Sequence, residues 1–228
     1  MELTWLGHAT WLLKTGSHSI LLDPFLDDSP TASLKSAQVA ADFILVSHGH
    51  ADHIADCAKI AKRTGALVIS NYEICTWLAG QGVAKTLGHN LGGGSQHPFG
   101  RVQLTIAHHS SQLPDGSYGG NPSGFLLWLA AEKLRVYFAC DTALFYDMKL
   151  IGSAGLDLAV LPIGDLFTMG PDDALAAVNL LHPKHVVPSH FNTWPPIAQD
   201  AQAWAERVEQ ETQAVPHVLK PGEKLKLE

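Results

Sequence analysis

Ten residues near the start of the chain contain three histidines and two aspartates. The segment SHGHADHIAD, residues 47–56, follows directly after the apolar run FILV at residues 43–46. Imidazole nitrogens and carboxylate oxygens suit zinc, manganese or iron, and a short turn is stiff enough to hold several of them at metal distance. The alternative interpretation is that these are solvated loop residues or helix caps. Four potential ligands within six residues argue against that alternative. The candidate metal ligands are His48, His50, Asp52 and His53.

The elements that must position these side chains are a mixture of strands and helices. Apolar runs, most of them bounded by Gly, Pro, Asn or Asp, predict strands at LTWL, TWLLK, SILLD, FILVS, ALVIS, VQLTIA, GFLLWLA, LRVYFA, LDLAVL, HVVP and HVLK. Apolar residues at helical spacing predict helices at 52–63, 72–79, 171–181 and 198–211. By composition, residues 88–100 and 110–124 are surface loops over a single core. This order predicts an α/β fold and one domain over residues 1–228.

Charge, hydropathy and cysteine content narrow the class of protein. Lys and Arg number 15 against 22 Asp and Glu, a formal charge of -7 that argues against a general nucleic-acid binder. No signal peptide is recognisable, and the longest clean apolar run, residues 125–131, is too short to span a bilayer. Three cysteines without CxxC spacing indicate neither a disulfide framework nor a structural zinc cluster. We therefore expect a soluble cytoplasmic protein with a small-molecule partner and no membrane partner; a homo-oligomer stays open.

Motifs along nearly the whole chain resemble those of one family. H-x-H-x-D-H after a buried strand resembles the signature of the metallo-β-lactamase fold superfamily, and the chain is similar to its UPF0173 group of metal-dependent hydrolases. The segments that carry the resemblance are GHAT (7–10), LLDPFL (21–26), SHGHADH (47–53), AHHSS (107–111), DTALFYDMKLIG (141–152), LPIGDLFTMGPDDA (161–174) and VVPSHFNTWP (186–195). The resemblance implies a four-layer αββα sandwich with a two-metal site at the edge where its sheets meet.

The same resemblance implies a role for individual residues of this chain. One metal ion takes His48, His50 and His109, while the other takes Asp52, His53 and His190, with Asp141 bridging the pair. Asp23, which ends the run SILLD, resembles an aspartate that supports the ligand loop by hydrogen bonds instead of binding metal. His8 in LGHAT is a possible pocket residue, although a packed or capping histidine fits equally well.

The pair His108 and His109 offers two candidates for one ligand, and Cys140 departs from the family pattern. In AHHSS the family pattern places the ligand directly before the serine, which selects His109; strand alternation then turns His108 to the opposite face as a structural residue. Cys140 stands before Asp141 where relatives usually carry glycine, so its thiol could be oxidised or coordinate, and its bulk could shift Asp141. We expect the other histidines to be loop or surface residues: His18, His89, His97, His182, His185 and His217.

Two divalent ions would supply hydrolytic chemistry. Zinc-type ions lower the pKa of bound water to about 7, so a hydroxide nucleophile is available at neutral pH without a serine or cysteine triad. We expect two ions, zinc first with manganese or iron as alternatives, and a catalytic role for Asp52 in orienting the nucleophile. A small, anionic ester, lactone or phosphodiester is the expected substrate, because the metal pocket is locally cationic. A di-iron redox enzyme of the sulfur dioxygenase kind and a non-catalytic metal-binding protein are the alternatives.

The choice between the two neighbouring histidines gives a first prediction. His109→Ala should remove one metal ion and nearly all activity, because a ligand is lost, whereas His108→Ala should leave the metal content intact. Elemental analysis of the two purified variants against the unaltered protein measures this. Loss of metal from His108→Ala alone would show that His108, and not His109, is the ligand.

Overall fold

Two β-sheets of seven strands each face one another in the computed structural model, which describes residues 1–228. Their strand orders are β14-β1-β2-β3-β4-β5-β6 and β13-β12-β11-β10-β9-β8-β7. The first sheet comprises β1 (Glu2–Gly7), β2 (Thr10–Thr15), β3 (His18–Leu22), β4 (Phe43–Leu45), β5 (Leu67–Asn71), β6 (Thr86–His89) and β14 (Lys224–Lys226). The second comprises β7 (Gly94–His97), β8 (Gly100–Ile106), β9 (Ser123–Leu129), β10 (Leu134–Phe138), β11 (Leu158–Pro162), β12 (His185–Ser189) and β13 (Val215–Pro216).

Helices flank the pair of sheets. They are α1 (Ala51–Ile54), α2 (Cys57–Thr64), α3 (Tyr72–Gly80), α4 (Met148–Gly152), α5 (Pro171–Leu181) and α6 (Ala201–Glu211). None combines the length and the apolar character needed to cross a bilayer. Helices outside two facing sheets confirm the predicted α/β class and the four-layer αββα sandwich.

Strand alternation divides the apolar side chains between two cores. In β3, Ile20 and Leu22 belong to the large core between the sheets, whereas Leu21 points to the other face. Ile44 of β4 likewise joins the smaller core, which the first sheet forms with α1, α2 and α3. Successive side chains of a strand point to opposite faces, so a continuous apolar run such as FILV can serve both cores at once.

The parallel strands direct several chain segments to one edge. In the first sheet β3, β4, β5 and β6 run parallel, and in the second β10, β11, β12 and β13 do so. Asp23 follows β3 and His190 follows β12 directly, while Asp141 lies three residues beyond β10. Because parallel strands end at the same edge, residues far apart in sequence meet there.

The helix predicted for residues 52–63 is wrong in one respect, because the chain forms two short helices here. Residues 55 and 56 separate α1 from α2. The buried Asp56 carboxylate accepts hydrogen bonds from the backbone N–H groups of Leu26 (2.7 Å) and Asp27 (3.0 Å). Its own N–H donates to the Pro24 carbonyl at 3.0 Å. These contacts fix the loop after β3 to the break between the helices.

Other elements differ from the sequence-based predictions. Residues 217–220, HVLK, form no strand, and the predicted loop 88–100 contains β7 and the end of β6. The last helix begins at Ala201 instead of residue 198, since the Asp200 carboxylate caps it by accepting from the N–H groups of residues 202 and 203. The short elements β14 and α4 were not predicted. Four histidines expected in loops or on the surface are half-buried strand residues: His18, His89, His97 and His185.

Trp11 joins the two sheets and gives a prediction about stability. Its buried indole N–H on β2 donates to the Ser189 hydroxyl on β12 at 3.0 Å. Trp11→Phe should lower the free energy of unfolding by about 2–3 kcal/mol, because it removes a buried hydrogen bond and leaves a cavity. Urea unfolding measures this change. The exposed Val215→Ala is the control and should change stability by less than about 0.5 kcal/mol; equal effects of the two would contradict the role given to Trp11.

Candidate metal centre

Three histidines from two loops form the first cluster of donor atoms. His48 Nε2 lies 2.9 Å from His50 Nδ1, and His109 Nε2 lies 3.3 Å from the same nitrogen. Ligand nitrogens bound at about 2.0–2.1 Å to a tetrahedral zinc ion are about 3.3 Å apart. The spacing of this cluster therefore fits three ligands around one ion.

A second cluster adjoins the first. The Asp52 Oδ2 oxygen lies 3.7 Å from His53 Nε2 and 3.9 Å from His190 Nε2. Asp52 and His53 come from the first turn of α1, and His190 is the residue directly after β12. One donor atom from each of these residues, and one from His8, lie within 4.8 Å of one another.

Asp141 stands between the two clusters. Its Oδ2 oxygen is 3.1 Å from His190 Nε2 and 3.3 Å from His53 Nε2. The same oxygen is 3.6 Å from His109 Nε2 and 4.0 Å from His48 Nε2. A single carboxylate therefore reaches donor atoms of both groups, the position that the bridging role requires.

Several polar atoms at this point lack hydrogen-bond partners although they are buried. They are both ring nitrogens of His190, Nε2 of His53 and Oδ1 of Asp141. A buried polar atom without a partner costs about 1–3 kcal/mol. A metal ion would satisfy such lone pairs, and every donor is an imidazole nitrogen or a carboxylate oxygen. The residues present thus fit a bound metal.

Asp23 sets the orientation of two imidazoles. Its carboxylate accepts from the Ser47 hydroxyl at 2.6 Å and from His53 Nδ1 at 2.9 Å. Since the Ser47 hydroxyl gives its proton to Asp23, its oxygen can accept from His48 Nδ1 at 2.9 Å. Both histidines then carry their proton on Nδ1, which leaves the Nε2 lone pairs directed at the site.

Electrostatics favour a positive charge beside Asp141. Burial alone would raise the pKa of the Asp141 carboxyl, but His190 and His53 hold it well below its usual range. Burial would lower the pKa of His53, yet the Asp141 and Asp52 carboxylates raise it well above its ordinary value. Burial keeps the pKa of His48 well below normal, so that imidazole is neutral at pH 7. A proton or a metal ion can supply the charge that these carboxylates favour.

His8, whose role the sequence left open, is part of this site. It is fully buried; its Nε2 lies 3.0 Å from Asp52 Oδ2 and its Nδ1 lies 2.7 Å from the Thr193 hydroxyl. Burial lowers the pKa of His8 to about 4, so the ring is neutral at pH 7. The Asp52 carboxylate can only accept, which assigns the single N–H of His8 to Nε2 and makes Thr193 the donor to Nδ1.

His108 and Cys140, which are each next to a proposed ligand in the sequence, lie outside the clusters of donor atoms. The His108 ring is exposed against Phe145, 5.1 Å between ring centroids, and belongs to neither donor cluster. The argument from strand alternation does not hold there, because β8 ends at Ile106. Cys140 belongs to no group of potential ligands, and its backbone has the left-handed φ of 56° that glycine adopts without strain.

Sequence reasoning missed three residues that support the site. Ser47 and Thr193 fix histidine tautomers, and Asp56 ties the loop after β3 to the helices that carry Asp52 and His53. Only Asp56 had a signal in the sequence, because an acidic residue within a predicted helix can mark the end of one helix and the start of another. The partners of Ser47 and Thr193 lie in other segments and become visible only in the fold.

Two facing sheets with a histidine and aspartate cluster at their common edge define the class of protein. The family model described as "Beta-lactamase superfamily domain" matches residues 2–190, and the chain belongs to that family. The relatives place it more narrowly. It is 50% identical over 228 residues to a UPF0173 metal-dependent hydrolase of Thermus thermophilus, with 100% of both chains covered. A UPF0173 metal-dependent hydrolase of Heliobacterium modesticaldum is 46% identical, with 100% of this chain and 98% of the relative covered.

A solved structure shows the same architecture. Igni18, described as a novel metallo hydrolase from the hyperthermophilic archaeon Ignicoccus hospitalis, is 35% identical and superposes with a TM-score of 0.90. The match covers 100% of this chain and 98% of that one. The superfamily and UPF0173 memberships expected from the motifs are therefore confirmed.

The hydrogen bonds of Asp23 generate a prediction about metal affinity. Asp23→Asn keeps the size of the side chain but weakens the bonds that orient His48 and His53, so metal affinity should fall about 10- to 100-fold. Competition with a chromogenic chelator measures the affinity. Asp42→Asn is a matched control, because the Asp42 carboxylate accepts from the N–H and hydroxyl of Ser19 without contacting the site. Equal affinities of the Asp23 variant and the control would contradict the supporting role of Asp23.

Proposed function

We propose that this protein is a metal-dependent hydrolase in which two divalent ions activate water for attack on an ester, lactone or phosphodiester. The observation that supports this most directly is the Asp141 oxygen within 4.0 Å of donor nitrogens from both clusters. His48, His50 and His109 would hold one ion, while Asp52, His53 and His190 would hold the other. Donors of nitrogen and oxygen alone favour zinc, with manganese or iron as alternatives.

Metal ions bound here would lower the pKa of a coordinated water to about 7 and stabilise negative charge that develops in the transition state. The residues of the chain do the positioning. Asp52 is the proposed catalytic residue, because its side chain is 29% exposed at the mouth of the site while its Oδ2 oxygen is held by His8. Burial alone would raise the pKa of Asp52, but His53 and the hydrogen bond from His8 lower it, so the carboxylate is ionised at pH 7. An ionised Asp52 can accept a hydrogen bond from the attacking water and orient it.

The net charge of the site indicates the charge of the substrate's reacting group. Two divalent ions against the Asp52 and Asp141 carboxylates leave the inner site with a net positive charge, whereas the whole chain carries -7. Surface charges are screened beyond a Debye length of about 8 Å at physiological ionic strength. We therefore propose that the reacting group is anionic. A small-molecule partner, the absence of nucleic-acid and membrane partners, and a cytoplasmic location belong to the same proposal.

Metal titration tests the dinuclear centre. The purified protein, stripped of metal and titrated with zinc, should bind two ions, and Asp141→Asn should weaken binding because the ions repel with less compensation. Calorimetry and elemental analysis measure this, with Asp42→Asn as the control. One tight site in the unaltered protein would contradict the dinuclear model.

Turnover tests the reaction class. A panel of lactones, carboxylic esters and phosphodiesters should include substrates that the two-ion protein cleaves, with release of acid and no consumption of oxygen. Asp141→Asn should lose more activity than metal affinity, because the spacing of the two ions is also changed. Oxygen uptake by the iron-loaded protein without hydrolysis would favour the redox alternative and contradict this function.

A further inference from the structure

Exposed apolar side chains recur on the loops at the edge of the sandwich that carries the proposed ligands. Four of the nine large hydrophobic side chains that are exposed lie on loops 110–122, 163–170 and 191–200, which all leave strands at the edge that carries the ligands. Isolated exposed hydrophobics need no explanation, but a group around one site does. We call these four residues the rim: Tyr118, Leu166, Phe167 and Trp194.

Loop 163–170 is anchored beside two proposed ligands. Gly164 packs so closely on the carbonyl oxygen of His190 that a Cβ atom would clash with it. Five residues later, the Met169 N–H donates to the carbonyl of Thr142, the residue after Asp141, at 3.0 Å. Residues 165–168 therefore connect a contact with the His190 backbone to a hydrogen bond with the Thr142 backbone.

The backbone at the tip of this loop is strained. Asp165 and Leu166 have left-handed φ angles of 61° and 45°, which are rare for a bulky residue such as leucine. Leu166 is 65% exposed and Phe167 is 58% exposed. Neither the strain nor the exposure of apolar surface contributes to stability, so a functional reason for this tip is indicated.

Trp194 and Tyr118 complete the rim from the other two loops. The half-exposed Trp194 indole packs edge-on against His8, 5.0 Å between centroids, and His8 bonds the catalytic Asp52. Tyr118 precedes Gly119, whose carbonyl accepts from the Ser111 hydroxyl at 2.9 Å. That hydroxyl also accepts from the N–H of Gly49, between His48 and His50. Both aromatic residues are thus tied to ligand-bearing segments.

The rim loops contain no cation. Loops 110–122, 163–170 and 191–200 lack Lys and Arg, and they carry the acids Asp115, Asp165 and Asp200. Tyr146, also exposed at this edge, is left out of the rim because Lys149 lies over its ring at 5.9 Å. A second anionic group on the substrate, reaching from the metal ions to these three loops, would meet their carboxylates, and the loops themselves offer no positive charge.

We propose that the rim binds an uncharged, planar apolar group of the substrate, so that the protein acts on aryl-type esters whose only charge is at the reacting group. This inference rests on the proposed function, because it assumes that the reacting group is held at the metal ions. Aromatic rings bind flat apolar groups by stacking and by excluding water, without a charged partner. The four side chains lie on loops tied to the segments that carry the proposed ligands, so an occupant of the rim lies beside the site of reaction.

Binding of two phosphonates to the zinc-loaded protein tests the proposal without turnover. Phenylphosphonate and methylphosphonate present the same charged group to the ions and differ in the apolar part. Phenylphosphonate should bind about tenfold more tightly by calorimetry, and 4-carboxyphenylphosphonate should bind more weakly than phenylphosphonate. Leu166→Ala and Phe167→Ala should each reduce the phenyl-to-methyl ratio and leave methylphosphonate affinity unchanged within about twofold.

A matched leucine provides the control. Leu150 on α4 is 69% exposed, close to the value for Leu166, but lies outside the rim, so Leu150→Ala should keep the full ratio. Equal affinities of the two phosphonates, no binding of either, or the same loss in Leu150→Ala would overturn the proposal. So would an unchanged ratio in Phe167→Ala with an altered oligomeric state by sedimentation, since the rim would then be a contact between subunits.

Turnover of a matched pair separates this proposal from the proposed function. 2,2,2-Trifluoroethyl phenylphosphonate and 2,2,2-trifluoroethyl methylphosphonate share one aliphatic leaving group and one negative charge, and only the first carries an aromatic ring. The phenylphosphonate ester should have the lower KM with a similar kcat, and Phe167→Ala should raise that KM. Hydrolysis of both esters with equal KM would overturn the role of the rim while the function stands. A phenylphosphonate preference without hydrolysis of any substrate would support the rim and contradict the function.

Discussion

The candidate metal centre depends on one fully buried carboxylate, Asp23, and on the three hydrogen bonds that it accepts. The donors are the Ser47 N–H at 2.7 Å, the Ser47 hydroxyl at 2.6 Å and His53 Nδ1 at 2.9 Å. Through His53 this carboxylate orients a donor of one cluster, and through Ser47 it orients His48 of the other. A buried ionised group must be compensated by hydrogen bonds, so this arrangement both stabilises the loop and leaves the Nε2 lone pairs free for a cation.

Several backbones around the site adopt a conformation that is unfavourable for their residue type. His8, Asp23, Cys140 and His190 all have left-handed φ angles, between 43° and 56°. Such conformations cost about 1–3 kcal/mol each and persist only when the surrounding structure imposes them. Here the large core between the sheets supplies that stability, and the edge loops direct imidazoles and carboxylates inward. The metal centre and the rim are therefore maintained by the sandwich behind them, since their local conformations are strained.

The sequence by itself determined the chemistry and the local geometry of the ligand segment. HxHxDH after FILV predicts a strand, a tight turn and the start of a helix, because these choices depend on neighbouring residues and on alternation within a few positions. The α/β class follows from the same local patterns. His109, Asp141 and His190 were reached only through the resemblance of their motifs to a family, since nothing local shows that segments 59 and more residues away meet the turn that carries His50.

Only the tertiary structure decided which atoms face one another. Three of its features depend on contacts between distant segments. Asp56 breaks a helix by binding residues 26 and 27, and His8 donates to Asp52. Ser47 fixes the tautomer of His48 because its own hydroxyl donates to the distant Asp23. The rim is a further case, because its residues come from three loops whose strands meet at one edge. The physical reason is the range of the interactions. Backbone conformation and strand alternation act over a few residues, whereas convergence at a site requires two sheets to pack across a shared core.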